Sequence, residues 1–159
     1  MDTLREAKDF LRKNWHKGTK CPCCSQKVKL WKYQIHSTMA TVLIELYHMT
    51  PNEYHHHDDL WRLVKSKFNF QAVHCGDFSK LSLWGLIEPM PKDYDSNKKA
   101  TGNWKITEKG KMFVENKIKV SKVLFVFNGK IWGEEGEVYI YDTLKRKFDY
   151  KNMILSQLT

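Results

Sequence analysis

Residues 76–88 have the sequence Gly-Asp-Phe-Ser-Lys-Leu-Ser-Leu-Trp-Gly-Leu-Ile-Glu, and they organise the architecture that we predict for the chain. Phe78, Leu81 and Trp84 recur at three-residue steps, which predicts one buried stripe on a short helix. Gly85 stands where a left-handed helix terminus is expected, because glycine has no Cβ to oppose a positive φ. The apolar residues that follow predict the start of a strand.

The chain beyond this strand predicts its partner. Two prolines end the strand, and residues 92–102 form a polar run without periodic apolar positions, which predicts a solvated loop. Apolar and polar residues then alternate over residues 103–107, so we expect this segment to return as a strand beside residues 86–88. A helix that carries Met112 and Phe113 is expected next.

This order of elements resembles the passage from recognition helix to wing in MarR-like winged-helix regulators. The residues that carry the resemblance are Lys80, Leu81, Trp84, Gly85, Leu86, Ile87, Glu88, Trp104, Ile106, Thr107 and Gly110. The resemblance covers residues 35–116. It implies a winged helix-turn-helix core in which residues 76–84 are the recognition helix. Winged helices bind DNA, RNA and proteins alike, so the fold alone implies no single function.

The whole chain also resembles small proteins of phages and prophages. This likeness rests on the Cys-Pro-Cys-Cys run at residues 21–24, the central helix, the Trp-Gly-Leu-Ile-Glu segment and a hairpin near the C-terminus. It implies no known activity.

The residues before the core predict a helix and a cysteine-rich turn. Thr3 and Glu6 have the spacing of a capping box, and apolar residues recur on one face of residues 3–16, which predicts an amphipathic helix. The core helix expected over residues 35–49 is apolar on several sides, which is typical of a central helix.

The residues after the core predict a small sheet. Asn-Gly at 128 and 129 is typical of a two-residue hairpin turn between strands 123–127 and 130–132. Alternation over residues 137–141 predicts a third strand, and Asp149 is expected to cap a terminal helix.

We therefore predict an α+β fold. A winged helix-turn-helix core carries an extra N-terminal helix and cysteine-rich turn, and a C-terminal small antiparallel β-meander plus helix. The predicted domains are residues 1–34, residues 35–120 and residues 121–159, the last packed on the same unit.

The positive charge of the chain is unevenly distributed. The net charge of +9 divides into +6 for residues 1–32, −1 for residues 33–75, +4 for residues 76–122 and zero for residues 123–159. Clustered lysines favour a polyanionic partner, because each lysine near a phosphate releases condensed counterions. A solvated lysine-rich surface gives the same pattern, and both interpretations stay open.

Three of the four cysteines fall within four residues. Cys21 and Cys24 have the C-x-x-C spacing of a zinc knuckle. The candidates for the third and fourth ligands of a structural zinc site are Cys23, Cys75, His16, His36 and His74. Reduced cysteines packed in a turn are the alternative. A disulfide framework is less expected, because no secretory signal precedes them.

The run of three histidines at residues 55–57 is a weaker candidate. Adjacent histidines in a loop point in different directions and rarely share an ion, so we predict a polar loop that leads to Asp58 as a helix cap. Neither a phosphate-cradling glycine loop nor a nucleophile elbow is present in the sequence, so no enzymatic activity is expected.

The function predicted first is binding of double-stranded DNA through the short helix at 76–84 and a lysine-bearing wing at 89–103. The candidate contact residues are Ser79, Lys80, Ser82, Lys92, Lys98, Lys99, Lys105, Arg12 and Lys13. The short helix lacks arginine and carries Asp77, which weakens the expectation of strong base readout.

The alternative is a protein-binding module whose exposed aromatic side chains dock on a partner, such as a host protein that a phage inhibits or redirects. A cytoplasmic protein without membrane contact is expected, because the chain has no apolar run of membrane-spanning length. The C-terminal additions could supply a homodimer face.

Overall fold

The computed structural model describes residues 3–50, 52–68, 77–91, 102–144 and 154. Within these ranges the protein combines helices with three small antiparallel sheets, so the predicted α+β class is confirmed. The chain forms two compact units. The N-terminal unit comprises Met1–Gln34 and Lys122–Gly136, and the central unit comprises Ile35–Ser121 and Glu137–Thr159. No helix in the described ranges is both long and apolar enough to cross a lipid bilayer.

The order of elements alternates short strands with short helices. In chain order they are α1 (Leu4–Asn14), β1 (Thr19–Lys20), β2 (Lys27–Val28), β3 (Trp31–Gln34), α2 (Ser37–His48), β4 (His55–His56), α3 (His57–Phe68), the 3₁₀ helix (Phe78–Trp84), β5 (Ile87–Pro89), β6 (Asn103–Ile106), α4 (Glu108–Val114), β7 (Val120–Phe127), β8 (Lys130–Val138) and α5 (Ile140–Leu144).

The helix α1 begins with the predicted capping box. The Thr3 hydroxyl oxygen accepts from the Glu6 N–H at 3.2 Å, and the Glu6 carboxylate accepts from the Thr3 N–H at 3.1 Å. Both backbone donors would otherwise lack a partner within the helix. Ala7 in the apolar stripe is buried, whereas Leu4 at its start is 65% exposed.

A hairpin and a distant strand form the sheet of the N-terminal unit. Asn128 and Gly129 have φ values of 53° and 73°, as a type I′ turn requires, so the predicted hairpin between β7 and β8 is confirmed. The sheet order is β3-β7-β8, with β3 antiparallel to β7. The third strand therefore comes from residues 31–34, and the prediction of a meander completed by residues 137–141 is wrong.

Residues 137–141 end one element and begin another. β8 continues to Val138, and α5 starts at Ile140. The Asp142 carboxylate accepts from the Tyr139 N–H at 3.1 Å, which fixes the first turn of α5. The predicted helix cap at Asp149 lies outside the described residues, and Ile154 is helical.

The core of the central unit is built around α2. All residues from Met39 to Leu46 are buried, so the prediction of a central helix is confirmed. Helix α3 contributes Leu60, Trp61 and Val64 to this core. Contacts with α3, α4 and α5 surround α2, which explains why its apolar residues occupy every side.

The 3₁₀ helix is the predicted short helix. Phe78, Leu81 and Trp84 are all buried, because a helix with three residues per turn places every third side chain on one face. The Trp84 indole N–H donates to the Ser121 carbonyl at 2.7 Å. Gly85 ends the helix with φ 72° and ψ 19°, which confirms the predicted left-handed terminus.

The second sheet follows directly from this helix. β5 pairs antiparallel with β6, placing Ile87 opposite Ile106, so the pairing predicted between residues 86–88 and 103–107 is confirmed. β4 pairs with the other edge of β6, which gives the order β4-β6-β5. The Thr107 hydroxyl then donates to the Gly85 carbonyl at 2.6 Å and accepts from the Gly110 N–H at 3.0 Å. One side chain thus joins the end of the 3₁₀ helix to the start of α4.

Candidate nucleic-acid interface

The lysine of the 3₁₀ helix is paired with an acidic residue. Lys80 Nζ lies 2.7 Å from Asp77 Oδ1, and His36 Nε2 lies 3.2 Å from Asp77 Oδ2. The hydrogen bond from Lys80, with that from His36, holds the pKa of the Asp77 carboxyl below its usual range. The positive charge predicted for this helix is therefore largely neutralised by its neighbour.

The two serines of the predicted contact set differ in exposure. Ser79 is exposed, and its carbonyl accepts from the Ser82 hydroxyl at 2.8 Å, while Ser82 itself is half-buried. Ser79 is thus the more exposed of the two serines.

The lysine on β6 is also paired with an acidic residue. Lys105 Nζ lies 3.1 Å from Glu88 Oε1 and 4.9 Å from the centre of the Tyr54 ring. The hydrogen bond to Glu88 raises the pKa of Lys105 above its usual value. The remaining wing lysines of the prediction, Lys92, Lys98 and Lys99, lie outside the described residues, so their roles stay predictions.

Arg12 and Lys13 belong to a different electrostatic setting. They lie in the last turn of α1, and both are exposed. The N-terminal unit holds 11 Lys and Arg against 5 Asp and Glu, a net charge of +6. In the described part of this unit, no Lys or Arg lies within ion-pair distance of a described carboxylate. Its positive charge is therefore available to an external anion.

The central unit pairs most of its described basic side chains internally. Within its described residues, six Lys and Arg side chains lie within 4.0 Å of a carboxylate oxygen, and they are Arg62, Lys67, Lys80, Lys105, Lys111 and Lys117. A segment-by-segment charge count weights all lysines equally and does not reveal these pairs. The i,i+3 spacing of Asp77 and Lys80 is the sign in the sequence that one of them would form.

The cysteine-rich turn closes the β1–β2 hairpin. The Cys21 N–H donates to the Gln26 carbonyl, and the Ser25 N–H donates to the Cys21 carbonyl, each at 2.8 Å. Hydrogen bonds from the backbone of Cys23 and then of Cys24 lower the pKa of the Cys21 thiol. These bonds favour the thiolate, which is the form that binds a metal.

The complete zinc ligand set is not assembled within the described residues. Cys75 lies outside them. The group of three described side chains whose ligand atoms all fall within 4.8 Å of one another consists of His56, His57 and Asp58, and it contains no cysteine. Zinc at the turn stays a prediction, which metal analysis of protein purified without chelator tests.

The histidine run differs from the predicted loop. His55 and His56 form β4, and His57 opens α3, so the prediction of a polar loop is wrong. The Asp58 N–H donates to His56 Nδ1 at 3.2 Å, so His56 rather than Asp58 caps the helix. The rings of His56 and His57 stack with centroids 4.5 Å apart because the chain turns from strand to helix between them.

This cluster brings ligand atoms of two imidazoles and one carboxylate within 4.8 Å of one another. The His57 Nδ1–H donates to the Gly102 carbonyl at 3.1 Å, which orients Nε2 toward Asp58 Oδ1 at 3.0 Å. A carbonyl bonded to the distal ring nitrogen is the usual support of a metal-binding histidine. Three ligands from consecutive residues would leave the other coordination positions to solvent.

No protein-family model, curated protein or solved structure matches the chain. Geometry and charge therefore carry the functional conclusion.

Proposed function

We propose that the protein is a non-enzymatic winged-helix protein that binds double-stranded DNA, as a phage-encoded regulator in the host cytoplasm would. The winged-helix assignment is supported by the chain order α2, β4, α3, 3₁₀ helix, β5 and β6. It is supported further by the sheet order β4-β6-β5, in which β4 precedes α3 and pairs with β6.

The observation that carries the DNA-binding proposal is the positive charge of the N-terminal unit. Eleven basic side chains without a described carboxylate partner can release counterions from phosphates, and this term supplies most non-specific affinity. In this proposal Arg12 and Lys13 of the N-terminal unit contact the DNA backbone. Lys80 is paired with Asp77 and Lys105 with Glu88. We therefore expect the protein to discriminate weakly between bases.

A salt titration tests the proposal. Fluorescence anisotropy of a labelled duplex should give a dissociation constant that rises steeply with salt. The double variant Arg12→Glu, Lys13→Glu should bind more weakly, and its log–log salt slope should be shallower by about 0.9 for each phosphate that the variant no longer neutralises. The double variant Arg62→Glu, Lys117→Glu is the matched control, because it changes the net charge equally and both side chains are exposed but already lie within 4.0 Å of a carboxylate oxygen. No binding at low salt, or equal weakening in both variants, would refute the proposal.

A protein-binding role is the second candidate, and exposed apolar side chains favour it. Within the N-terminal unit Leu4, Trp31, Ile131 and Trp132 are all exposed, and large apolar side chains anchor protein interfaces. A host protein would be the partner. Binding to such a surface would change little with salt, so the same titration separates the two functions.

A further inference from the structure

A cavity of about 400 Å³ opens in the N-terminal unit between α1, the cysteine hairpin and the β7–β8 hairpin. Its size falls in the range of small-molecule sites. It is lined by Lys8, Leu11, Arg12, Trp15, Cys21, Cys24, Gln26, Val28, Phe127 and Trp132. Every lining residue is described, and all belong to this one unit.

Aromatic rings form one wall of the cavity. The Trp15 and Trp132 rings meet edge to face with centroids 5.5 Å apart, and Phe127 lies 6.5 Å from Trp15. Trp132 remains 53% exposed although it is one of the largest apolar side chains. An exposed ring beside a hollow is costly to leave in water, and it is a surface on which a planar ligand can stack.

Basic side chains form the edge of the same cavity. Lys8 and Arg12 stand four residues apart on α1, so they project from the same face of the helix. Both also line a second hollow of about 410 Å³, together with Leu4, Arg5 and Asp9. The apolar hollow and the basic hollow thus adjoin along α1. Among the described residues that line the second hollow, Asp9 is acidic and three side chains are cationic.

We propose that the aromatic cavity takes a single unpaired nucleobase while Lys8 and Arg12 hold the phosphates on either side of it. The proposal rests on the nucleic-acid binding proposed above and names the form of nucleic acid preferred. Charge complementarity selects this occupant over an apolar peptide, because two cations without a described partner border the rings. Stacking between a base and an aromatic ring tolerates any sequence, which suits a site with few polar groups.

The consequence is a preference for DNA with an unpaired end. A duplex carrying a short single-stranded overhang should bind about tenfold more tightly than the same duplex with blunt ends, since one stacked base contributes on that scale. Anisotropy with both labelled duplexes at one salt concentration measures the ratio. Overhangs of thymine and adenine should behave alike.

Two exposed tryptophans make a matched pair of variants. Trp132→Ala should abolish the overhang preference and leave blunt-duplex affinity unchanged. Trp31→Ala is the control, because Trp31 is 50% exposed in the same unit but does not line the cavity. The centroid of its ring lies 4.5 Å from Lys29 Nζ. Trp132→Phe keeps a ring and should retain most of the preference. Circular dichroism of each variant checks that the sheet is intact.

The outcomes separate this inference from the DNA-binding proposal. Duplex binding that is weakened in the Arg12→Glu, Lys13→Glu variant, with no overhang preference or with equal preference in Trp132→Ala and the wild type, overturns the cavity assignment alone. Single-stranded oligonucleotide binding that needs Trp132, without duplex binding, supports the cavity and refutes the duplex proposal. Binding to neither form refutes both.

Discussion

The N-terminal unit and the central unit handle charge in opposite ways. The first holds 11 Lys and Arg in 49 residues, and the second holds 16 in 110. In the described ranges the first forms no Lys or Arg ion pairs, whereas the second pairs six basic side chains with carboxylates. A lysine count alone therefore does not locate a polyanion site. What matters is which cations the fold has already neutralised.

The two units also differ in how they treat apolar residues. In the central unit Phe113, Leu81 and Met39 are almost completely buried, while the N-terminal unit leaves Trp31 and Trp132 half-exposed. The central unit resembles a stable scaffold, and the N-terminal unit presents surface. Substitutions of the buried residues of the central unit should act on stability, and substitutions of the exposed rings of the N-terminal unit should act on binding.

The largest effect is expected from a single methyl group in the central unit. A Cβ at Gly110 would overlap the backbone carbonyl oxygen of Leu86 and lie 2.7 Å from Ile106 Cγ1. Gly110→Ala should therefore destabilise the protein by about 3 kcal/mol through overpacking, although alanine normally favours a helix. Gly133→Ala in β8 is the control, because its nearest neighbour, Phe125 Cδ2, is 3.4 Å away. Thermal melts of both variants that coincide would contradict the packing argument.

A buried ion pair gives the next largest effect. Glu45 is 2% exposed, and its Oε2 lies 2.9 Å from Nζ of Lys67, whose side chain is 37% exposed. Lys67→Met should cost about 2 kcal/mol, below the roughly 3–5 kcal/mol typical of fully buried pairs, because Lys67 keeps some solvent contact. Adding Glu45→Met removes the stranded carboxylate and should restore most of the stability. Urea unfolding of the single and double variants measures the recovery, and a double variant weaker than Lys67→Met would refute the explanation.

Releasing a neutralised lysine should make the central unit behave like the N-terminal unit. Asp77→Asn removes the carboxylate that lies 2.7 Å from Lys80 Nζ on the 3₁₀ helix, so DNA affinity at low salt should rise by about fivefold and the salt slope should steepen by about 0.9. Asp59→Asn serves as the control, because it removes an equal charge from a pair with Arg62 on α3. An equal gain in DNA affinity in both variants would indicate that the gain comes from the change in net charge and not from the position of Lys80.

The smallest expected effect concerns stability in acid. Because the pKa of Asp77 is lowered in the folded protein, its carboxylate stabilises the fold above the ordinary aspartate pKa, and this contribution disappears as the pH falls through the lower folded value. The wild type should exceed Asp77→Asn in stability at pH 7 by less than about 1 kcal/mol, since the group is partly exposed. The difference should begin to shrink below about pH 4. A difference that grows on acidification would have the wrong sign.

Local patterns in the sequence predict the local elements well. The three-residue steps of Phe78, Leu81 and Trp84 match the three residues per turn of the 3₁₀ helix, and Asn-Gly at 128 and 129 forms the expected turn. These patterns are set by neighbours along the chain. They need no knowledge of distant partners.

The wrong predictions concern long-range pairing and short windows. Residues 31–34 complete the sheet with β7, a partner far along the chain that alternation cannot reveal. Over residues 137–141 the apolar positions fit a strand and a helical turn equally, and burial of Ile140, Thr143 and Leu144 decides for the helix. The ion pairs of Lys80 with Asp77 and of Lys105 with Glu88 could not be predicted either, because the composition does not show which carboxylate lies beside which lysine.

The Thr107 hydroxyl has a practical consequence for engineering. It ties the end of the 3₁₀ helix to the start of α4, and the β5–β6 ladder holds the two strands in register between those points. A protein engineered at this junction should therefore keep a hydroxyl group at position 107, because both hydrogen bonds depend on it.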